Sequence, residues 1–256
     1  MLSRRTPAIL IHADDLGMST AVNAAILGAL ADGTVTSTSV LATGPAFADA
    51  VTQLPAQACL GVHLDLTGFP SITGAPELAG LASIAAARSA ELPAAIARLL
   101  REHPSMILDE WRAQVGRVRE AGQEVTHLDS HQHVHWMPAL WPTLKNLMVE
   151  TGIRAVRGVG AWRPELSRLR ALPQAARAAR FKRAFSAFVT TEAFANASTF
   201  RAREALGLSK PESLEVMVHP GNLAHARYAE ELAWLRAGTW RAGTTLVSWR
   251  ALIACR

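Results

Sequence analysis

Apolar residues in this chain gather into short continuous runs, and stretches of helical spacing separate those runs. Pro7 to Ala13 (PAILIHA), Cys59 to Leu66 (CLGVHLDL) and Ser213 to Val218 (SLEVMV) have the near-continuous apolar character of strands covered on both faces. Val35 to Ala42 alternates small polar and β-branched residues and predicts another strand. Residues 20–31, the segment after Gly44-Pro45, Asp109 to Ala121, Pro138 to Glu150 and residues 226–236 read as helices. In Asp109 to Ala121 the residues Trp111, Val115 and Val118 share one face, and Gly122 ends the helix. Shorter strands are expected at Ile153 to Arg157, Phe185 to Thr190 and Thr244 to Ser248. Thr67 to Ser105 reads as a long excursion, loop first and helix later, and Gly158 to Thr199 has the least regular pattern. Strands that alternate with helices predict an α/β fold with a parallel sheet. We expect that sheet to form a deformed TIM-like (β/α) barrel, closed or incomplete, in a single domain over residues 1–256.

Composition narrows the picture little. The chain has 256 residues, 50% of them apolar, which is ample for one large core. Cys59 and Cys255 form no CxxC pair, so neither a disulfide framework nor a thiolate metal site is suggested. The apolar run after Arg4 and Arg5 is too short for a signal peptide or a membrane span, and a cytoplasmic location is the default expectation. The net charge of +5 is unevenly placed: residues 157–183 carry eight basic residues against one acid, Glu165. With Trp162, Leu166, Leu169 and Leu172, that segment suits peripheral contact with the inner membrane surface or an anionic substrate, and a solvated helix face explains it as well. No aromatic-interleaved basic motif accompanies the charge, so nucleic acid is not an expected partner. A homo-oligomer is expected.

Candidate chemistry changes the picture more. Four of the nine histidines lie within His127 to His135 (HLDSHQHVH). In an extended strand His127, Asp129, His131, His133 and His135 would share a face, and we expect such a strand to run into a histidine-bearing loop. Three other predicted strands end in polar groups: Asp14-Asp15, then His63 with Asp65, then His219-Pro220-Gly221-Asn222. In an α/β barrel those ends meet at one rim. One aspartate and two histidines from separate strands would make a site for one divalent ion, with Zn or Mg foremost and Mn, Co or Ni also compatible.

The motifs HADDLG at 12–17, TST at 36–38, GVHL at 61–64, HLDSHQHVH at 127–135 and HPGN at 219–222 resemble the YdjC-like carbohydrate deacetylases, in order and over most of the chain. The resemblance implies metal-dependent hydrolysis of the acetamido group of an N-acetylated sugar, oligosaccharide or glycolipid. It implies Asp15, His63 and His131 as metal ligands, Asp14 as general base and His219 as general acid or oxyanion partner. Asp65, Asp129, His133, His135 and Asn222 are then expected to orient ligands or touch the sugar. Two rivals stand beside it. A barrel phosphoesterase would release phosphate rather than acetate, and a non-catalytic sugar-binding protein would be expected to lose Asp14 or a ligand.

Overall fold

The computed structural model describes residues 6–87, 90–160, 168–207, 210–241 and 243–255, with side chains given except for 168–174. The strands are β1 (Ala8–Leu16), β2 (Ser37–Val40), β3 (Leu60–Leu64), β4 (His127–Ser130), β5 (Ala155–Val156), β6 (Ala193–Asn196), β7 (Ser213–Val218) and β8 (Thr245–Leu246). The helices are α1 (Thr20–Ala31), α2 (Phe47–Gln53), α3 (Pro76–Ala86), α4 (Leu92–Glu102), α5 (Met106–Glu120), α6 (Trp141–Thr151), α7 (Arg168–Ala184), α8 (Ala197–Ala205), α9 (Tyr228–Ala237) and α10 (Trp249–Ala254). All named strand pairings are parallel, in the order β5-β4-β3-β2-β1-β7-β6, with β8 added beside the first residues of β1. The result is a curled, incomplete TIM-like barrel.

β1 is the keel of this sheet. Its apolar run is continuous because both faces are covered, and Ile9, Leu10 and Ile11 are fully buried. Ser19 caps α1 by accepting from the Val22 N–H at 3.2 Å. α5 buries Trp111, Val115 and Val118, as its spacing predicted, each contributing roughly 1.5–3 kcal/mol. Between β5 and β6 the sheet is thin. Ala155 makes a single parallel bridge to Val189, and the Phe194 N–H donates to the Gly160 carbonyl at 2.8 Å.

The structure corrects several expected boundaries. β1 runs on through Asp14 and Asp15 to Leu16 instead of ending before them. The strand expected over Phe185 to Thr190 is reduced to that bridge at Val189, because Phe185 packs face to face on Phe181 as the last turn of α7 ends. The strand in that quarter is β6, which sequence periodicity did not mark. The histidine-rich strand stops at Ser130; residues 131–136 form a tight 3-10 turn in which Gln132 and His133 have left-handed φ values of 51° and 55°. Strand alternation ends there, so His133 and His135 do not continue the face of His127 and Asp129. Arg157 belongs to no solvated or membrane-facing segment, since it is fully buried. Trp162, Arg163 and Leu166 lie outside the described residues, as do the side chains of Arg168, Leu169, Arg170 and Leu172. No helix among the described residues is long and apolar enough to cross a membrane.

Candidate metal centre

Adjacent residues on a regular strand point to opposite faces, so Asp14 and Asp15 should not serve one site. The β1–β2 register shifts between Ala13 and Leu16, and Asp15 has a φ of 71°. This bulge breaks the alternation, so that Asp15 meets His63 and His131 while Asp14 meets Arg157 beneath them. Aspartate tolerates the left-handed region better than most residues do.

Two layers result. In the rim layer Asp15 Oδ1 lies 3.2 Å from His131 Nδ1 and 3.5 Å from His63 Nε2, and Asp15 Oδ2 accepts from the Asn222 amide at 3.2 Å. One ligand atom from each of Asp15, His63 and His131 falls within 4.8 Å of the others. A divalent ion with bonds of about 2.0–2.2 Å keeps its ligand atoms roughly 3 Å apart, so the spacing fits a shared ion. His63 also has the expected support: its Nδ1 faces Asp129 Oδ1 at 2.9 Å, leaving Nε2 for the ion. Ser39 donates to the other Asp129 oxygen at 3.0 Å.

The deep layer centres on Arg157, with Asp14, Asp129, Glu215, His12 and His127. The guanidinium grips Asp14 with both terminal nitrogens, at 2.8 and 2.6 Å. It also reaches Asp129 at 2.8 Å and, through Nε, Glu215 at 2.8 Å. Such a fork is planar and always charged, which lysine could not reproduce. His12 lies 2.9 Å from Asp14 and its Nε2 lies 2.8 Å from His127 Nε2. One proton is shared across that last contact. Thr126 Oγ lies 2.9 Å from the Leu60 carbonyl oxygen and 2.8 Å from His127 Nδ1, which extends the chain of polar contacts from Asp14 through His12 and His127. Gly61 makes room for this ring, since a Cβ there would lie 2.5 Å from His127 Nε2.

The two layers differ in electrostatics. Burial works against the Asp14 anion, but the charge and hydrogen bonds of Arg157 hold its carboxyl well below the usual range. Burial likewise opposes ionisation of Asp15, and the His131 hydrogen bond with the His63 charge outweighs it. Burial opposes the His63 cation too, yet Asp129, with Asp14 and Asp15 behind it, pushes its pKa up to about 9. Without an ion the rim therefore takes up a proton where a cation would sit.

The other sequence candidates have distinct places. His219 follows β7 and sits beside Glu231 of α9. His133 stacks on Trp136 with ring centroids 4.1 Å apart, and burial lowers its pKa to about 3. Asp65 and His135 bond to groups of the loops around the rim. Asp65 accepts the N–H groups of Thr67, Gly68 and Phe69, and His135 is buried against the Ser130 hydroxyl. Sequence reasoning missed Arg157, Glu215, Glu231 and His12 as site residues. His12 was visible as a polar interruption in β1, whereas Arg157 was masked by the basic residues that follow it.

An incomplete α/β barrel with Asp, His and His gathered at the C-terminal ends of its strands presents groups that could hold a metal ion at the rim where such folds carry their sites. Sequence comparison gives the family: the profile described as YdjC-like protein matches residues 8–243, and the chain belongs to that family. Over 145 residues it is 36% identical to a carbohydrate deacetylase of Brevibacillus brevis, and the match spans 56% of each chain. Over 167 residues it is 34% identical to a carbohydrate deacetylase of Halalkalibacterium halodurans, spanning 60% of this chain and 68% of the relative. The fold matches a crystal structure from Enterococcus faecalis V583, provisionally described as a cellobiose-phosphate cleavage protein. There the TM-score is 0.68 at 21% identity, over 96% of this chain and 99% of that one.

Proposed function

We propose that this protein hydrolyses the acetamido group of an N-acetylated sugar, oligosaccharide or sugar-headed lipid, releasing acetate and a free amine. The observation that carries this reading is the bulge in β1, which gives one carboxylate to the rim triad and the next to the arginine beneath it. Relatives named carbohydrate deacetylase supply the substrate class.

Asp15, His63 and His131 would hold the ion. When bound, it supplies a Lewis acid for the amide carbonyl and lowers the pKa of water at the site. Asp14 takes the proton of the attacking water. Its pairing with Arg157 keeps it ionised across the working pH range and lowers its basicity, so it would serve as acceptor for a water whose own pKa is already lowered. Asn222 and Asp129 hold Asp15 and His63 in orientation. His219 gives a proton to the departing sugar nitrogen. Although burial disfavours its cation, the Glu231 hydrogen bond and the charges of Asp14, Glu231 and Asp15 raise its pKa.

The test is acetate release from N-acetylglucosamine oligomers, nucleotide sugars and N-acetylglucosaminyl lipids, with and without chelator. We expect chelator-sensitive release, and Asp14→Asn should bind the ion while losing roughly 10²–10⁴-fold in kcat. Near-normal turnover in that variant removes Asp14 as the base. Phosphate release without acetate from phosphorylated sugars would favour the phosphoesterase reading instead.

A further inference from the structure

We propose that Glu231 and His225 are positioning residues for His219: Glu231 fixes its tautomer and rotamer, and His225 fixes its ring plane. This rests on the deacetylase reading, in which His219 is the proton donor, and it adds two residues that no sequence motif marked.

The arrangement is built from three elements. β7 ends at Val218, and the turn that follows is pinned onto α1. Gly221, at φ 77°, is required there, because a Cβ would lie 2.8 Å from both the Ala21 carbonyl oxygen and the Ala25 Cβ. That close approach fixes where His219 leaves the strand. The chain then passes His225 and enters α9, whose first turn carries Glu231, a favourable position for an acid.

Glu231 is 3% exposed and holds His219 at two points. Its Oε2 accepts the His219 backbone N–H at 2.8 Å and faces the ring Nδ1 at 3.2 Å. With Nδ1–H committed to a carboxylate, Nε2 is the ring nitrogen left for chemistry, and in the cation it carries the transferable proton. After that proton passes to the sugar nitrogen, His219 is neutral with its remaining proton on Nδ1. The proton that Asp14 took from the attacking water then passes by way of solvent to Nε2, which restores the carboxylate and the cation together.

His225 lies face to face with His219, with centroids 3.9 Å apart and planes 20° apart. Its Nδ1 is 3.8 Å from Glu231 Oε1. Two stacked rings sharing one carboxylate cannot both be cations without repulsion. Burial and the His219 charge push the His225 pKa down, while Glu231, Asp15 and Asp14 act the other way. The groups acting on His219 are thus Glu231 of α9, the neutral His225 ring, and Asp14 and Asp15 of β1. One ligand atom from each of His219, His225 and Glu231 also falls within 4.8 Å of the others. Near-parallel imidazoles, however, aim their in-plane lone pairs side by side instead of converging them on one ion.

The experiment uses the full-length, metal-loaded protein. In wild type, ¹⁵N NMR should show His219 protonated near neutral pH with its Nδ1–H retained after deprotonation. Glu231→Gln should lower the His219 pKa and mix its tautomers. In the same variant kcat should fall at least about 10-fold, out of the roughly 10²–10⁴-fold a positioned acid supplies. KM should stay within about twofold, and the alkaline limb of the kcat profile should move to lower pH. Glu231→Asp, with the charge kept at shorter reach, should fall between, and provides the reading if the Gln variant does not fold. His225→Phe should keep most of kcat, and His225→Ala should lose several-fold. An unchanged His219 spectrum and pH profile in Glu231→Gln overturns the proposal. So does a second equivalent of Zn²⁺ that is lost in His225→Ala, which would make this a metal site. If wild type releases acetate from no substrate, the functional reading fails, while the NMR result still decides the Glu231–His219 relation.

Discussion

The two layers of the site share Asp129 but solve opposite problems. Beneath, Arg157 is fully buried and its donors meet three carboxylates, so its own charge is matched within the layer. Above, Asp15, His63 and His131 turn oxygen and nitrogen lone pairs toward one another and remain balanced only by taking up a proton or a cation. The deep layer holds geometry and, through Asp14, borders the proposed chemistry, whereas the rim layer is the one that can take up a cation.

The largest effect should come from breaking the closed layer. Arg157→Met leaves Asp14, Asp129 and Glu215 buried without their partner and should cost about 3–5 kcal/mol in denaturant unfolding. Asp15→Asn should change the unfolding of the metal-free protein little, since asparagine tolerates the φ of 71°, and should remove ion uptake in calorimetry. Equal stability losses in the two variants would erase the distinction between layers.

Asp129 sharpens the comparison because it serves both. Asp129→Asn should weaken ion binding by about 10–100-fold, or about 1.4–2.7 kcal/mol, through loss of the carboxylate that orients His63. An unchanged binding isotherm would assign Asp129 to the deep layer alone.

The smallest effect is one of pH. Ion uptake must displace the His63 proton, so affinity should fall as pH drops below about 9, by up to about tenfold per unit. The sign for metal-free stability is opposite. A raised folded-state pKa stabilises fully below the ordinary value of 6.5, and that contribution is lost as pH rises through about 9. Melting temperatures of chelated and loaded protein across this window should therefore converge toward acid and diverge toward alkali. Parallel curves would mean that His63 is not the group exchanging proton for metal.

Much of this was legible in the letters. Continuous apolar runs marked β1, β3 and β7, and polar residues at their ends marked the rim, because strand period and burial are local properties. β6 was not legible: its four residues are paired by β7 across a long sequence gap, and Ala-Phe-Ala-Asn carries little strand signal of its own.

By itself, then, the sequence determined the inventory: an α/β alternation and the Asp, His and Asn side chains set at strand ends, since periodicity and residue chemistry are written one position at a time. Only the tertiary structure decided how they divide the work. The turn at Asp15 that separates it in role from Asp14, the burial of Arg157 among three carboxylates and the approach of Glu231 to His219 all arise between distant segments. Backbone dihedrals and long-range charge pairing are fixed by packing, which no local pattern of residues encodes.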